Sequence, residues 1–286
     1  VDAPDFNLDL EGKLKAAGIK AIHFVSPSIW AWRGGRIDKI RRSVDHVLCL
    51  FPFEPAIYRE AGIAATYVGH PLADAIPLEP PRAAARAALR LADHDAVVAL
   101  LPGSRRSEIE YIAPVLLAAA EELHRRRPSL RFLLPVVPGL RALLEPIIAE
   151  KAPDIRLQLL DGRSHEALAA CDVTLVASGT ATLEAALFKR PMVIAYRMHG
   201  LSWQMMKRMG YQPWVGLPNI LLRDFVVPEL LQAEATPARL ADAALAWLDD
   251  PARCAAVAQR FEALHRELRR DTAQAATHAI EEILAR

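Results

Sequence analysis

The sequence predicts an α/β protein built on parallel sheets. Short β-branched runs alternate with Ala- and Leu-rich stretches of helical period, the pattern of strands joined by crossover helices. A length of 286 residues suggests about two domains. With 52% hydrophobic and 24% charged residues, the chain has enough apolar surface to form cores, which excludes a disordered protein.

The first part of the chain contains less than a whole domain of this kind. We predict strands at residues 21–25, 46–50 and 65–68, with short helices at 38–43 and 55–61 between them. Four prolines in residues 71–81 then favour extended backbone. The domain boundary is predicted there, giving a partial first domain of residues 1–76 and a second domain of residues 77–286.

The second part predicts a complete doubly wound domain. Its strands are expected at residues 97–101, 131–136, 155–159, 173–177 and 192–196, separated by helical stretches. The Ala-rich tail from residue 237 has helical spacing with a break near residues 249–251, so it is predicted to form closing helices.

Charge, cysteine content and missing motifs exclude several function classes. Lys and Arg total 35 against 34 Asp and Glu, so the net charge of +1 disfavours a mainly electrostatic nucleic-acid binder. Three widely separated cysteines indicate neither a disulfide framework nor a zinc site. No GxGxxG, P-loop or HExxH motif occurs. We therefore expect a site that needs no metal and no cofactor.

A glycine turn follows the first predicted strand of the second domain. Gly103 allows the backbone to approach a ligand closely, and Ser104 follows it. Ser107 and Glu110 have capping-box spacing, so a helix is expected to begin here. Ligands of open parallel sheets bind beyond the carboxyl ends of the strands, which makes this turn a candidate substrate-binding element.

Arg105 is the candidate catalytic residue of that turn. A guanidinium at its mouth can hold phosphate oxygens in a bidentate manner and offset charge on a departing diphosphate. The alternative is a solvated surface arginine, and Arg106 is the better candidate for that ordinary role.

A second turn of the same kind follows the strand predicted at residues 173–177. Ser178, Gly179 and Thr180 precede a helix whose free N–H groups attract anions. Glu184 lies about one helical turn after Thr180, where a carboxylate can hold two ribose hydroxyls. The alternative is an ordinary helix cap followed by a surface glutamate.

Three further segments contain polar or aromatic groups with less specific patterns. Residues 2–7 include Asp2, which suits either a general base or an Asx turn. Residues 26–33 place two tryptophans beside an arginine, as in a sugar or acyl contact or in ordinary packing. Asn219 is the polar group of an otherwise apolar loop, where it could donate a hydrogen bond to a phosphate or a sugar hydroxyl. Residues 201–209 fit an interfacial or subunit-contact helix or a core helix.

Together these segments resemble the lipid-A-disaccharide synthase family. The resemblance rests on ordered motifs that span nearly the whole chain: DAPDFN at residues 2–7, SPS at 26–28, WAWR at 30–33, LPGSR at 101–105, ASGTA at 177–181 with Glu184, LPN at 217–219 and ELLQ at 229–232. It implies the two-domain GT-B glycosyltransferase fold with two Rossmann-like domains. The family's first strand, glycine-bearing loop and membrane-facing segment have no counterpart, so the first domain is expected to be incomplete and the chain alone to have little transferase activity.

The resemblance also implies a reaction. The family transfers 2,3-diacylglucosamine from its UDP donor to 2,3-diacylglucosamine 1-phosphate (lipid X), forming a β-1,6 disaccharide 1-phosphate and UDP with inversion. It implies that Asp2 is a catalytic residue and possible general base, that Arg105 acts near the UDP, and that Asn219 is a third important residue. Ser178, Gly179, Thr180 and Glu184 match the ribose and diphosphate contacts of the fold more loosely.

The same resemblance implies partners and a location. The expected partners are the two acylated sugars and the cytoplasmic membrane surface of a Gram-negative-type bacterium, where the chain would act as a peripheral protein, with a homodimer left open. The alternatives are another UDP-sugar enzyme of this fold, such as an epimerase or a peptidoglycan-type transferase, and a non-catalytic UDP-binding module.

Overall fold

A computed structural model describes residues 3–30, 34–198 and 213–285. In chain order its strands are β1 (Ile22–Phe24), β2 (His46–Cys49), β3 (Ala64–Tyr67), β4 (Val97–Leu101), β5 (Arg131–Val136), β6 (Leu157–Asp161), β7 (Val173–Ala177), β8 (Met192–Tyr196) and β9 (Glu229–Leu231). The α-helices are α1 (Pro4–Ala16), α2 (Ile37–Ser43), α3 (Glu54–Glu60), α4 (Pro71–Ala75), α5 (Arg82–Ala88), α6 (Arg106–Arg126), α7 (Arg141–Lys151), α8 (Ser164–Ala170), α9 (Thr180–Leu187), α10 (Leu217–Leu222), α11 (Pro237–Leu248), α12 (Pro251–Leu268) and α13 (Thr272–Leu284). Two 3-10 turns lie at Gly34–Arg36 and Gln232–Glu234.

These elements form two compact units. The first contains the described residues up to Ala75, Pro213 and those from His265 onward, and the second contains the others. The first boundary between the two units, after Ala75, therefore lies within the proline-containing segment at residues 71–81. The division differs at the other end from an assignment of residues 77–286 to one domain, because α13 belongs to the first unit.

The first unit is a three-stranded parallel sheet covered on both faces. The strand order is β1-β2-β3. Alternate residues of β2 point to opposite faces, so Val47 and Cys49 join a core with α1 and α2 while Leu48 joins a core with Ala279 of α13. The last helix belongs to this unit because its apolar side supplies one of the two cores.

Asp74 fixes the beginning of that last helix. Its carboxylate oxygens accept hydrogen bonds from the backbone N–H groups of Asp271 at 3.0 Å and Thr272 at 2.7 Å. These two N–H groups lie at the amino terminus of α13, where no carbonyl of the helix can reach them. The bonds join the segment after β3 to a helix about 200 residues further along the chain.

The second unit contains a six-stranded parallel sheet in the order β6-β5-β4-β7-β8-β9. Every residue of β4 and of β7 is buried, as expected for central strands with helices on both faces. Four of the five strands predicted here agree with the structure at both ends, and β6 begins two residues later than predicted. Strand β9 was not predicted, because three residues at a sheet edge are too few to show a period.

In the described part of the chain, no helix is long and apolar enough to cross a membrane.

Candidate active site

The two predicted phosphate-binding turns leave neighbouring strands of the second sheet. Leu101 at the end of β4 pairs with Val176 near the end of β7. The chain runs from β4 to β5 and β6 on one side and then returns to β7 on the other side. Strands β4 and β7 therefore form the topological switch point, and ligands of open α/β sheets bind in the crevice outside the carboxyl ends of such strands. Both turns border that crevice.

Gly103 gives the first turn its shape. Its backbone φ is +111°, a conformation that L side chains rarely adopt. A Cβ atom at this position would lie 2.6 Å from the Cβ of Glu108, which is closer than two carbon atoms can pack. The turn therefore requires glycine both for its conformation and for its contact with Glu108.

Glu108 caps helix α6, which corrects the predicted box of Ser107 and Glu110. Arg105 is the residue before the helix, and Glu108 is the third residue within it. The Glu108 carboxylate accepts hydrogen bonds from the backbone N–H groups of Ser104 at 2.9 Å and Arg105 at 3.2 Å. A capping carboxylate was expected, but the residue that precedes the helix is Arg105 and not Ser107, so the capping glutamate is also two residues earlier, at Glu108.

Arg105 lies at the mouth of this turn with its side chain 79% exposed. Its Nη1 donates to Glu108 Oε1 at 2.7 Å. The side chain of the neighbouring Arg106 is also exposed, and its Nη1 lies 3.7 Å from Glu110 Oε1. In the structure, one carboxylate thus contacts the guanidinium and the turn N–H groups, which are the donors that a phosphate would use.

The second turn is shaped by Gly179, whose φ is +147°. Ser178 uses its hydroxyl inside the protein, donating to the Val215 carbonyl at 2.7 Å. Thr180 is exposed at the first position of α9. Thr182, which the sequence analysis did not single out, donates to the Gly179 carbonyl at 2.7 Å and accepts from the Leu217 N–H at 3.2 Å. Gly179 and Thr180 are thus the open groups of this turn, while Ser178 and Thr182 support it.

Glu184 lies on α9 beside His165 at the start of α8. Its Oε2 is 3.7 Å from His165 Nε2, and its side chain is 21% exposed. Burial raises the pKa of Glu184, and the nearby His165 opposes that rise. Since α8 and α9 both begin at the carboxyl edge of the sheet, Glu184 is positioned near the crevice with capacity to accept hydrogen bonds from hydroxyl groups.

Asn219 is fully buried, and its amide is used within the protein. Its Nδ2 donates to the Val227 carbonyl at 2.9 Å and to Glu229 Oε1 at 2.8 Å. Its Oδ1 accepts from the N–H groups of Val226 and Val227. These four bonds use the whole hydrogen-bonding capacity of a carboxamide. In this structure Asn219 therefore supports the loop before β9 and has no amide group left for a ligand.

Glu229 is the acidic partner of Asn219, and the sequence indicated it only as the first residue of the ELLQ motif. Its carboxylate accepts from the N–H groups of Val215 and Gly216, each at 2.9 Å, as well as from Asn219. Burial raises the pKa of Glu229, and these hydrogen bonds oppose the rise. Glu229 and Asn219 together hold the amino terminus of α10 against the sheet.

Several predicted residues fall outside the described part of the chain. These are Asp2, the candidate general base, together with Trp32, Arg33 and residues 201–209. Within the same amino-terminal motif, Asp5 is 70% exposed and lies 2.6 Å from Arg36 Nη2.

The carboxyl edge of the first sheet contains a buried carboxylate that the sequence analysis missed. Glu54 follows β2 and is 1% exposed. Its Oε1 accepts from Trp30 Nε1 at 3.0 Å, and its Oε2 accepts from the N–H groups of Leu50 at 3.1 Å and Phe51 at 3.0 Å. Burial raises the pKa of Glu54 to about 7, against the opposing effect of these bonds. Its position next to a proline after an apolar run was the available signal.

Aromatic rings surround this carboxylate. Trp30 packs edge-on against Phe53 at 5.4 Å between ring centroids, and Phe51 stacks on Phe53 at 5.9 Å. His70, which follows β3, stacks on Phe51 at 5.5 Å. Burial lowers the pKa of His70 to about 4. Trp30, the tryptophan of the WAWR motif that the structure describes, thus packs inside the first unit. This agrees with the alternative of ordinary packing.

Among the described residues, no group of three or more His, Cys, Asp or Glu side chains lies close enough to hold a metal ion.

Comparison with known proteins decides the family. The family model described as lipid-A-disaccharide synthetase matches residues 1–283. The chain belongs to the lipid-A-disaccharide synthase family. The relative from Albidiferax ferrireducens is 64% identical over 99% of this chain and 74% of its own length. The relative from Verminephrobacter eiseniae is 58% identical over 100% of this chain and 74% of its own length.

This result confirms the family resemblance and the expectation of an enzyme that acts in lipid A disaccharide synthesis. At this identity, an epimerase, a peptidoglycan-type transferase or a non-catalytic module is not favoured. The chain spans about three quarters of the length of these synthases.

Solved structures confirm the GT-B fold class. The UDP-GlcNAc 2-epimerase from Neisseria meningitidis, solved with UDP-GlcNAc bound, is similar with a TM-score of 0.63 and 12% identity over 98% of this chain and 73% of that chain. MurG from Acinetobacter baumannii is similar with a TM-score of 0.58 and 15% identity over 95% of this chain and 69% of that chain. At such low identity, the similarity concerns the fold alone.

Proposed function

We propose that this member of the synthase family transfers 2,3-diacylglucosamine from UDP-2,3-diacylglucosamine to 2,3-diacylglucosamine 1-phosphate. The products are the β-1,6 disaccharide 1-phosphate and UDP. The observation that supports this most directly is the pair of glycine turns at the switch point of the second sheet. We assign donor binding to the second unit and acceptor binding to the first.

The UDP diphosphate is assigned to the turns at residues 102–105 and 178–179. Helices α6 and α9 begin directly after them, and helix amino termini attract anions. The exposed guanidinium of Arg105 supplies a bidentate donor beside the first turn. We assign the ribose hydroxyls to the Glu184 carboxylate. The remaining binding residues are Gly103, Ser104, Gly179 and Thr180. Ser178 and Asn219 support this site through hydrogen bonds within the protein.

Catalysis in this proposal depends on charge at the leaving group. As the anomeric carbon is attacked, negative charge grows on the departing UDP. The Arg105 guanidinium stabilises that charge more strongly in the transition state than in the bound donor. Asp2 is proposed as the general base that takes the proton of the acceptor 6-hydroxyl. No metal is assigned a role in this mechanism.

The location follows from the acylated substrates. We propose that the chain works as a peripheral protein at the cytoplasmic face of the membrane, where both lipids are available. A homodimer stays a prediction, to be checked by sedimentation equilibrium. Nucleic acid has no role in the proposal.

The test compares two adjacent arginines. We expect the chain to bind UDP in a calorimetric titration and Arg105→Ala to weaken that binding roughly tenfold, because it removes a charge-assisted donor. The transferase assay with both acylated substrates uses the chain joined to an amino-terminal segment from a full-length relative, because the chain alone is expected to have little activity. In that assay, Arg105→Ala should lower turnover roughly a hundredfold or more. Arg106→Ala removes the same charge from the next residue and should leave both values close to those of the parent chain.

Two outcomes would contradict this assignment. Equal losses in the two variants would mean that general charge, rather than Arg105, attracts UDP. Absence of binding heat with the parent chain would remove the second unit as the donor site.

A further inference from the structure

A basic cavity lies at the amino-terminal ends of β5 and β6, the opposite edge of the second sheet from the switch point. Its volume is about 580 Å³, within the range of small-molecule sites. Three arginines line it: Arg90 after α5, Arg131 at the start of β5 and Arg156 just before β6. No acidic residue lines it among those the structure describes.

These arginines differ from most others in the second unit. Arg125 contacts Glu122 at 2.6 Å, and Arg141 contacts Asp161 at 2.7 Å. Within the described ranges, the side chains of Arg90, Arg131 and Arg156 form no ion pair or hydrogen bond. Arg90 and Arg156 are exposed and Arg131 is half-buried, so an anion in the cavity would meet three guanidinium groups that have no partner among the described residues. The cavity is therefore suited to a ligand with at least one strongly acidic group.

An apolar groove continues from this cavity along the edge strand. It has a volume of about 440 Å³ and lies between β6 and α7, and its lining is apolar except for Glu145, an exposed residue of α7 whose carboxylate lies 3.9 Å from Arg141. Leu157 and Leu159 occupy alternate positions of β6, so their side chains share one face of the strand, and Ile155 just before the strand lines the groove with them. Ile155 and Leu157 also line the basic cavity. One surface of the unit thus offers cationic groups at one end and an open apolar groove at the other.

We propose that this surface binds an anionic phospholipid, with the phosphate headgroup at the three arginines and an acyl chain in the groove. Guanidinium groups match phosphate geometry, and an acyl chain gains free energy for each methylene removed from water. A free phosphate would use only the basic cavity and leave the apolar groove exposed. The combination of charge and apolar surface therefore favours a lipid.

The inference is independent of the UDP site. All its residues lie in the second unit and at the edge of the sheet opposite the crevice. A chain that failed to bind UDP could still bind the lipid. UDP titration of every variant below separates the two proposals, and the variants should retain the UDP affinity of the parent chain.

The first test removes charge. Binding is measured by co-sedimentation with vesicles of phosphatidylcholine mixed with phosphatidylglycerol, and with vesicles of phosphatidylcholine alone. We expect the double variant Arg131→Gln, Arg156→Gln to lose roughly tenfold or more of its affinity for the anionic vesicles. The control is Arg239→Gln, Arg260→Gln, which removes the same charge from arginines that contact Glu234 and Asp224, and it should retain most of that affinity.

The second test concerns the acyl groove. Ala149 is exposed on α7 and lines the groove, whereas Ala142 is exposed on the same helix and does not line it. Ala149→Glu should weaken binding of a fluorescent phosphatidylglycerol severalfold, while Ala142→Glu should not. The exposure of both alanines keeps folding intact, which circular dichroism checks.

Three outcomes would overturn the proposal. Equal loss in the two arginine double variants would show attraction by net charge only. Equal behaviour of the two glutamate variants would remove the acyl chain from the site. Complete competition by inorganic phosphate at the concentration of the lipid would indicate a free-phosphate site instead.

Discussion

The carboxyl edges of the two sheets differ in the burial of their charged residues. At the first sheet, Glu54 is buried under aromatic rings and accepts hydrogen bonds from three donors. At the second sheet, each turn contains a glycine with a positive φ, and Arg105 is 79% exposed. The difference suggests that Glu54 contributes to stability, whereas Arg105, which is paired with Glu108 at the surface, is exposed to a ligand.

The largest expected effect is a difference in the free energy of unfolding between substitutions at these two charged residues. Glu54→Ala should lower the free energy of unfolding by about 4 kcal/mol, because three buried N–H donors lose their acceptor. Arg105→Ala should change it by less than about 1 kcal/mol, since only an exposed ion pair is lost. Urea unfolding followed by circular dichroism measures both values.

Glu54→Gln serves as the control, because it keeps an acceptor oxygen in the same place and should lose much less stability than Glu54→Ala. If Arg105→Ala proved as destabilising as Glu54→Ala, the edge of the second sheet would be a structural element like the first, and the contrast would fail.

The next effect concerns pH and lies wholly in the first unit. The pKa of Glu54 is raised to about 7, so its contribution to stability is full below its ordinary pKa near 4.5 and is lost as the pH rises through 7. The pKa of His70 is lowered to about 4, so its contribution is full above 6.5 and is lost as the pH falls through 4. Between these limits the two dependences oppose each other.

Single substitutions should therefore reveal opposite slopes. Relative to the parent chain, Glu54→Gln should gain stability as the pH rises from 5 to 7, and His70→Asn should lose it, each by up to about 3 kcal/mol. Urea unfolding at several pH values gives the slopes, with Glu60→Gln and His278→Asn as exposed controls. Parallel slopes for all four variants would show that neither buried group controls the pH dependence.

The contrast between the edges also shows what a sequence reveals. Glycine turns after buried strands are local patterns, so the turns at Gly103 and Gly179 and the position of Arg105 beside the first turn could be predicted from the sequence. The α/β class followed from the alternation of strands and helices. Glu54 and Glu229 could not be assigned, because their partners lie on other loops and become neighbours only in the folded chain. For the same reason, Asn219 was expected to face a ligand although its amide is used internally.

The smallest effect distinguishes the two glycines of the open edge. Gly103→Ala should lower stability by about 2 to 3 kcal/mol, because its new Cβ atom meets Glu108 in addition to the unfavourable φ. Gly179→Ala should cost about 1 kcal/mol, because no atom of another described residue, its chain neighbours aside, lies within 4 Å of its Cβ position and backbone strain is the main cost. Urea unfolding measures the difference. Equal losses would mean that Glu108 moves aside without penalty, so its carboxylate would not hold the turn, and the first turn would be as unsupported as an ordinary surface loop.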